Sequence, residues 1–111
     1  MTKNFNAIIG CSFGFTFEIT NLDSIDEAYF VIRENEFDDE PVLVKTIEDM
    51  QHIADNKYRV TLTKAETAQL MPLNYLYGLE IGYSTNSKLA LEGKLLVDLN
   101  PARRDNGQYQ Y

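Results

Sequence analysis

Leu62-Thr63-Lys64-Ala65-Glu66-Thr67-Ala68-Gln69-Leu70-Met71-Pro72-Leu73-Asn74-Tyr75-Leu76-Tyr77 is the stretch that decides how this chain folds. It reads as the end of a strand, one capped helical turn over about residues 64–70, a proline stop and a new aromatic strand. The spacing lets Thr63 accept from the Glu66 amide while the Glu66 carboxylate accepts from the Thr63 amide, a reciprocal cap. Pro72 has no N–H and restricts the residue before it, so the helix cannot run on. A helix this short does not stand alone in water and must lean on a sheet. The segment carries no chemistry; it joins two strands.

Outward from it, period-two spacing continues in both directions. Downstream, Tyr75, Tyr77, Leu79, Ile81 and Tyr83 mark a long strand, and Ser84-Thr85-Asn86-Ser87 makes a hairpin loop. Leu89, Leu91, Leu95, Val97 and Leu99 give the return strand, with Gly93 in phase with this inward set. A glycine there implies a bulge or a close backbone approach. Upstream, Tyr58, Val60 and Leu62 alternate with polar residues after an Asp55-Asn56 turn, and residues 48–54 read equally as a helical turn or a loop. Pro41 to Ile47 is a β-branched strand that follows an acidic turn over Glu34 to Glu40. Ala28-Tyr29-Phe30-Val31-Ile32-Arg33 is apolar on both faces, which implies a central position or a second surface covered by a partner. Phe13, Phe15, Phe17 and Ile19 open the pattern, with a polar break at Asn21 to Ser24. Six strands, one helical turn and regular breaks predict an all-β antiparallel sandwich or barrel. Residues 1–100 read as one domain, and 101–111 as a flexible polar tail without periodicity.

At 111 residues the chain is long enough to bury a core without disulfides or metals. Ten basic residues against 17 acidic ones give a formal net charge of −7, which disfavours nucleic acid and membrane partners. The single cysteine, Cys11, sits in an apolar stretch and reads as a small core residue. No secretory signal opens the sequence, and no apolar run approaches the ~20 residues of a membrane helix. The expectation is synthesis in a host cytoplasm.

Residues that could carry chemistry lack companions. His52, the single histidine, has no nucleophile motif beside it and reads as a solvated loop residue. One His and one Cys do not make a zinc site of ordinary composition. Glu36, Asp38, Asp39 and Glu40 cluster without the spacing of a calcium loop. Gly10-Cys11-Ser12-Phe13-Gly14 is not a phosphate-binding glycine motif. No catalytic residue, metal ligand or cofactor site is nominated. Tyr75, Tyr77 and Tyr83 share one face and admit two readings: core and rim residues, or a platform for a sugar or a protein.

Four segments carry a family likeness: Gly10 to Phe17, Ala28 to Arg33, the Leu62–Tyr77 connector with its Tyr-x-Tyr strand, and Glu92-Gly93-Lys94-Leu95-Leu96-Val97. Across about residues 5–99 the chain resembles the small immunoglobulin-like β-sandwich at the N-terminus of baseplate upper proteins and related virion proteins of tailed phages. Where that family often has an acidic residue, this chain has Cys11 and Gly78. The resemblance implies an immunoglobulin-like sandwich and a non-enzymatic structural or assembly protein of a phage or prophage virion (tail, baseplate, neck or head fibre). It also implies virion proteins or further copies of the chain as partners, in a homo-oligomer. Candidate contacts are Tyr29, Val31 and Arg33 on the second face of the central strand, and Arg103, Arg104, Tyr109 and Tyr111 in the tail. The alternative function is a carbohydrate-binding or adhesion module that uses Tyr75, Tyr77 and Tyr83.

Overall fold

The computed structural model describes residues 2–20, 22, 24–35 and 40–101. Among them run eight strands: β1 (Phe5–Ile8), β2 (Phe13–Glu18), β3 (Glu27–Arg33), β4 (Leu43–Thr46), β5 (Gln51–Ala54), β6 (Lys57–Leu62), β7 (Asn74–Tyr83) and β8 (Asn86–Asp98). Helix α1 spans Lys64–Thr67, and a 3-10 turn spans Ile47–Asp49. The strands form two sheets, β1-β8-β7-β3-β4 and β2-β6-β5. All pairs are antiparallel except β1 with β8. This order matches an immunoglobulin-like sandwich of the variable type, B–E–D facing A′–G–F–C–C′. β3 lies between β7 and β4, so its two apolar faces belong to an internal strand.

Alternation fixes what each sheet buries. Phe15 and Phe17 of β2 and Tyr58, Val60 and Leu62 of β6 point inward from the small sheet. Ala28, Phe30 and Ile32 of β3, four residues of β7 (Tyr75, Tyr77, Leu79, Ile81) and Leu91, Leu95 and Val97 of β8 meet them from the large one. Immunoglobulin domains of antibodies pin this layer with a disulfide between strands B and F packed on a Trp of strand C. Here rings take that place. Phe15 on β2 stacks on Phe5 with centroids 4.7 Å apart and lies 5.4 Å from Phe30. Tyr77 on β7 completes the group at 5.2 Å from Phe5 and 5.6 Å from Phe30. Each such pair contributes about 0.5–1.5 kcal/mol beyond the area it buries.

The connector crosses from the small sheet at Leu62 to the large one at Asn74, and it is tied at four points. Thr63 Oγ1 accepts from the Glu66 amide at 3.1 Å, and Glu66 Oε1 accepts from the Thr63 amide at 2.8 Å, completing the reciprocal cap. The other Glu66 oxygen accepts from Lys45 Nζ on β4 at 2.6 Å. Thr67, fully buried, accepts from the Gly10 amide and donates to the Cys11 carbonyl, so α1 is fastened to the β1–β2 turn. Beyond Pro72, the Tyr75 hydroxyl accepts from the Met71 amide at 2.8 Å. A tyrosine at the start of strand F bonding to backbone a few residues upstream is the tyrosine corner of immunoglobulin-like domains. In antibody domains the cysteine of strand F stands two residues later; here that residue is Tyr77.

Several expectations are corrected. β1 and β5 stand where no strand was expected, and β1 runs parallel to β8. Residues 48–54 are neither a helical turn nor a loop throughout, because the 3-10 turn gives way to β5 after Met50. The α-helix ends at Thr67, and a turn stabilised by Gln69 and Leu70 amides continues to Leu70. The hairpin turn is confined to Ser84-Thr85, with Tyr83 paired to Asn86. Cys11 is exposed: it belongs to the turn after Gly10, whose φ of 82° takes it out of the strand alternation. Leu89 and Leu99 are 51% and 39% exposed. The reason for Leu89 is a bulge: Leu79 pairs with Leu91 but Glu80 with Leu89, so Ala90 is the extra residue and phase inverts there. At Gly93 the close approach is what the structure holds. A Cβ there would overlap the Lys3 carbonyl oxygen, the same oxygen that accepts the Tyr77 hydroxyl. Arg103, Arg104, Tyr109 and Tyr111 lie outside the described residues.

Tyr75→Phe removes the acceptor of the Met71 amide while keeping the ring, at an expected cost of about 1–2 kcal/mol. Urea denaturation checks this as a lowered midpoint at constant slope; an unchanged midpoint refutes it. Burial acts to raise the Glu66 carboxyl, but hydrogen bonds from Lys45 and Thr63 outweigh it and hold the group below its ordinary range. Its folded pKa is therefore lower than its unfolded one. The contribution is complete above about pH 5 and fades as pH falls through the carboxylate range. Glu66→Gln is expected to flatten the fall of the thermal midpoint between about pH 5 and pH 3, measured against the parent chain.

Candidate interaction surface

With Ala28, Phe30 and Ile32 turned to the core, the odd residues of β3 face outward, and strand register assembles three rows across the large sheet. Tyr29 lies beside Glu80 of β7, which lies beside Leu89 of β8. Val31 lies beside Gly78, and Gly78 beside Glu92. Arg33 lies beside Leu76, and Leu76 beside Lys94. Val44 of β4 extends the middle row opposite Val31 and is 42% exposed. Gly78 leaves the centre of the face without a side chain, and Leu89 leans toward it: a Cβ on Gly78 would lie 3.4 Å from Leu89 Cδ1. The result is a broad, open groove of about 720 Å³.

Charge is divided along the strands. Glu27, opposite Gly82, and Glu80 stand at one end, and Arg33 and Lys94 at the other. Tyr29 sits between the carboxylates. Glu27 raises its hydroxyl pKa by charge, slight burial adds to this, and a hydrogen bond with Glu27 and the charge of Glu80 act in the same sense. Tyr77 is also raised, to about 12, by burial and then by Glu92. The face thus presents an acidic end, a middle of Val31 and Gly78 with Glu92 at its β8 edge, and a basic end. A smaller depression of about 580 Å³ at the opposite end of β7 and β8 is lined by Ile8, Leu73, Leu96 and Leu99, with Asp98 among them.

Tyr29, Val31 and Arg33 are thus brought together on one face, half-buried and in adjacent rows. The tyrosine platform does not form. Tyr75 and Tyr77 are 2% and 5% exposed because their parity on β7 aims them into the sandwich, and Tyr83 is half-buried beside the hairpin turn. His52 is exposed and stacks on Tyr58, with ring centroids 4.5 Å apart. Among the described residues no three His, Cys, Asp or Glu side chains converge on a point where a metal ion would fit. Glu36, Asp38 and Asp39 lie outside the described residues. Leu76, Glu80, Leu89 and Lys94 were not singled out from sequence. Parity alone places Leu76 and Glu80 opposite the inward tyrosines, but only the strand order β8-β7-β3 sets them beside Tyr29, Val31 and Arg33.

No family model matches the chain, and no curated protein matches it. Among solved structures it is similar to a marsupial T cell receptor, with a TM-score of 0.54 at 14% identity over 85% of this chain. The chain spans about half of that one, 48% of its length. It is also similar to the extracellular domain of the voltage-gated sodium channel beta4 subunit, with a TM-score of 0.50 at 11% identity over 89% of this chain and 92% of that one. At such identities the likeness is one of fold, and that fold is the immunoglobulin-like sandwich.

Proposed function

We propose that this chain is a non-enzymatic protein-contact module and that the outer face of its five-stranded sheet is the contact surface. The observation that carries the reading is the composition of that face. An internal strand presents Tyr29, Val31 and Arg33 on the side away from the core, and Leu76, Gly78 and Leu89 continue an apolar centre beside them. Aromatic and Arg side chains around a desolvatable centre with a charged rim are the ordinary make-up of a protein interface. The beta4 neighbour, whose structures are described as parallel homodimers that explain a role in cell–cell adhesion, supports such a use of the fold. The sequence resemblance to baseplate upper proteins supports the finer statement: an assembly protein of a tailed-phage or prophage virion, in tail, baseplate, neck or head fibre, with virion proteins or its own copies as partners.

Val31→Glu sets a charge in the middle of the face without touching the inner layer. Co-expressed with the products of the neighbouring reading frames, the variant is expected to lose at least about tenfold in co-purification while keeping its thermal midpoint within a few degrees. Thr61→Glu, on the exposed outer side of the small sheet, serves as the control and is expected to change nothing. Parental co-purification by Val31→Glu overturns the reading.

A further inference from the structure

The division of charge on the contact face specifies a partner and an orientation. Resting on the reading of that face as a contact surface, we infer that it pairs with the same face of a second copy about a two-fold axis that runs across the strands, so that the two sheets pack antiparallel. Such an axis keeps β3 over β3 and β7 over β7 but exchanges the ends of the strands. Val31, Gly78 and Glu92 of the middle row then face their own counterparts, and each Glu92 stands between Lys94 of its own strand on one side and Lys94 of the other copy on the other. The row Lys94, Leu76, Arg33 comes over the row Leu89, Glu80, Tyr29 of the other copy. Glu80 is placed over Leu76 of the other copy, flanked by two cations, one strand spacing of about 4.8 Å to either side. Arg33 comes over the Tyr29 ring, between the carboxylates of Glu80 and Glu27, where cation–π attraction and charge act together. Lys94 lays its aliphatic stem on Leu89. The symmetry repeats every contact, as an isologous interface requires.

The opposite arrangement, with the axis along the strands, keeps like ends together. Arg33 and Lys94 then gather with their counterparts, and Glu27 and Glu80 with theirs, which is repulsive at both ends. The antiparallel pair has one like-charge contact, Glu92 with its counterpart, against like charges at both ends of the alternative, so complementarity selects the antiparallel pair.

Sedimentation equilibrium or light scattering between about 1 and 500 µM is the test, a range that brackets micromolar association. Two variants are compared, Glu80→Arg and the double variant Arg33→Glu with Lys94→Glu. Each alone is expected to weaken the parental dimer at least about tenfold. In the first, the introduced guanidinium meets the cations of the other copy; in the second, the introduced carboxylates meet its acidic end. Mixed in equal amounts the two are expected to associate within about threefold of the parent, since both sets of contacts are again of opposite sign. Variants that self-associate as well as the parent, or better, overturn the antiparallel orientation. A chain that stays monomeric throughout overturns the second copy as occupant, while the co-purification test of Val31→Glu still decides the contact face by itself. A dimer indifferent to all of these changes and to Val31→Glu removes both.

Discussion

The contact between Phe15 and the ring pair Phe5 and Phe30 is what makes two sheets into one body. No disulfide links the sheets, since the chain has a single cysteine and that residue lies exposed in a turn. Antibody domains carry such a disulfide on strands B and F and the tryptophan on strand C; the corresponding strands here, β2, β7 and β3, bring the rings of Phe15, Tyr77 and Phe30 into the layer. Fastening by rings differs from fastening by a bond. A disulfide acts largely by restricting the unfolded chain, whereas ring packing acts only in the folded one and depends on close fit. It follows that alignment of the sheets has to be set by everything around the cluster. Hydrogen bonds at the margins of the sandwich do this.

Two of those margins control the contact face. At one, the connector sets where β7 begins: Thr67 holds α1 against the β1–β2 turn, Lys45 holds Glu66, and Tyr75 holds the chain at Met71 before the strand starts. At the other, the Lys3 carbonyl occupies the place of a side chain on Gly93 and receives the Tyr77 hydroxyl, while the Lys94 amide donates to Asn4 Oδ1. β7 and β8 are thereby pinned from both sides. Since a slip of one residue turns every side chain to the opposite face, these contacts are also what keeps tyrosines inside and Leu76, Gly78 and Glu80 outside.

Much of this was legible in the chain itself, for a physical reason. The inward residues of β2, β3, β6 and β7 are period-two runs with one wet or partner-facing side, and the connector states its cap and its stop in a few residues. What escaped reading had no such signal or a competing one. β5 is exposed at all four positions and is a strand because the Asp55-Asn56 turn folds it onto β6, a pairing that leaves no alternation. β1 does alternate, through Phe5 and Ala7, with Ile9 just beyond it in phase, but four residues are too few to stand out from noise. The inward assignment of Leu89 failed because one extra residue at Ala90 inverts the phase, and no glycine in that run marks the position of the bulge. For the contact face, Tyr29, Val31 and Arg33 were visible as the second face of an apolar strand. Their neighbours were not, because lateral strand order is a property of the tertiary fold.

The bulge also explains how the sandwich comes to carry an apolar surface centre. Without the bulge, Ala90 would take the outward place beside Glu80 and Leu89 would turn inward, leaving Val31, Gly78 and charge in the middle of the outer face. With it, a leucine is moved onto the face next to the one residue there that has no side chain to cover it. Two copies each of net charge −7 repel at long range, so an apolar centre alone would bring them together slowly and in no set orientation. At physiological ionic strength that repulsion decays over about 8 Å, whereas a carboxylate set between two cations acts at contact. Overall charge therefore lowers the rate of encounter, and the local division of charge chooses among the orientations that remain. The sorting of Glu27 and Glu80 to one end of the strands, and of Arg33 and Lys94 to the other, turns an apolar patch into a directional one.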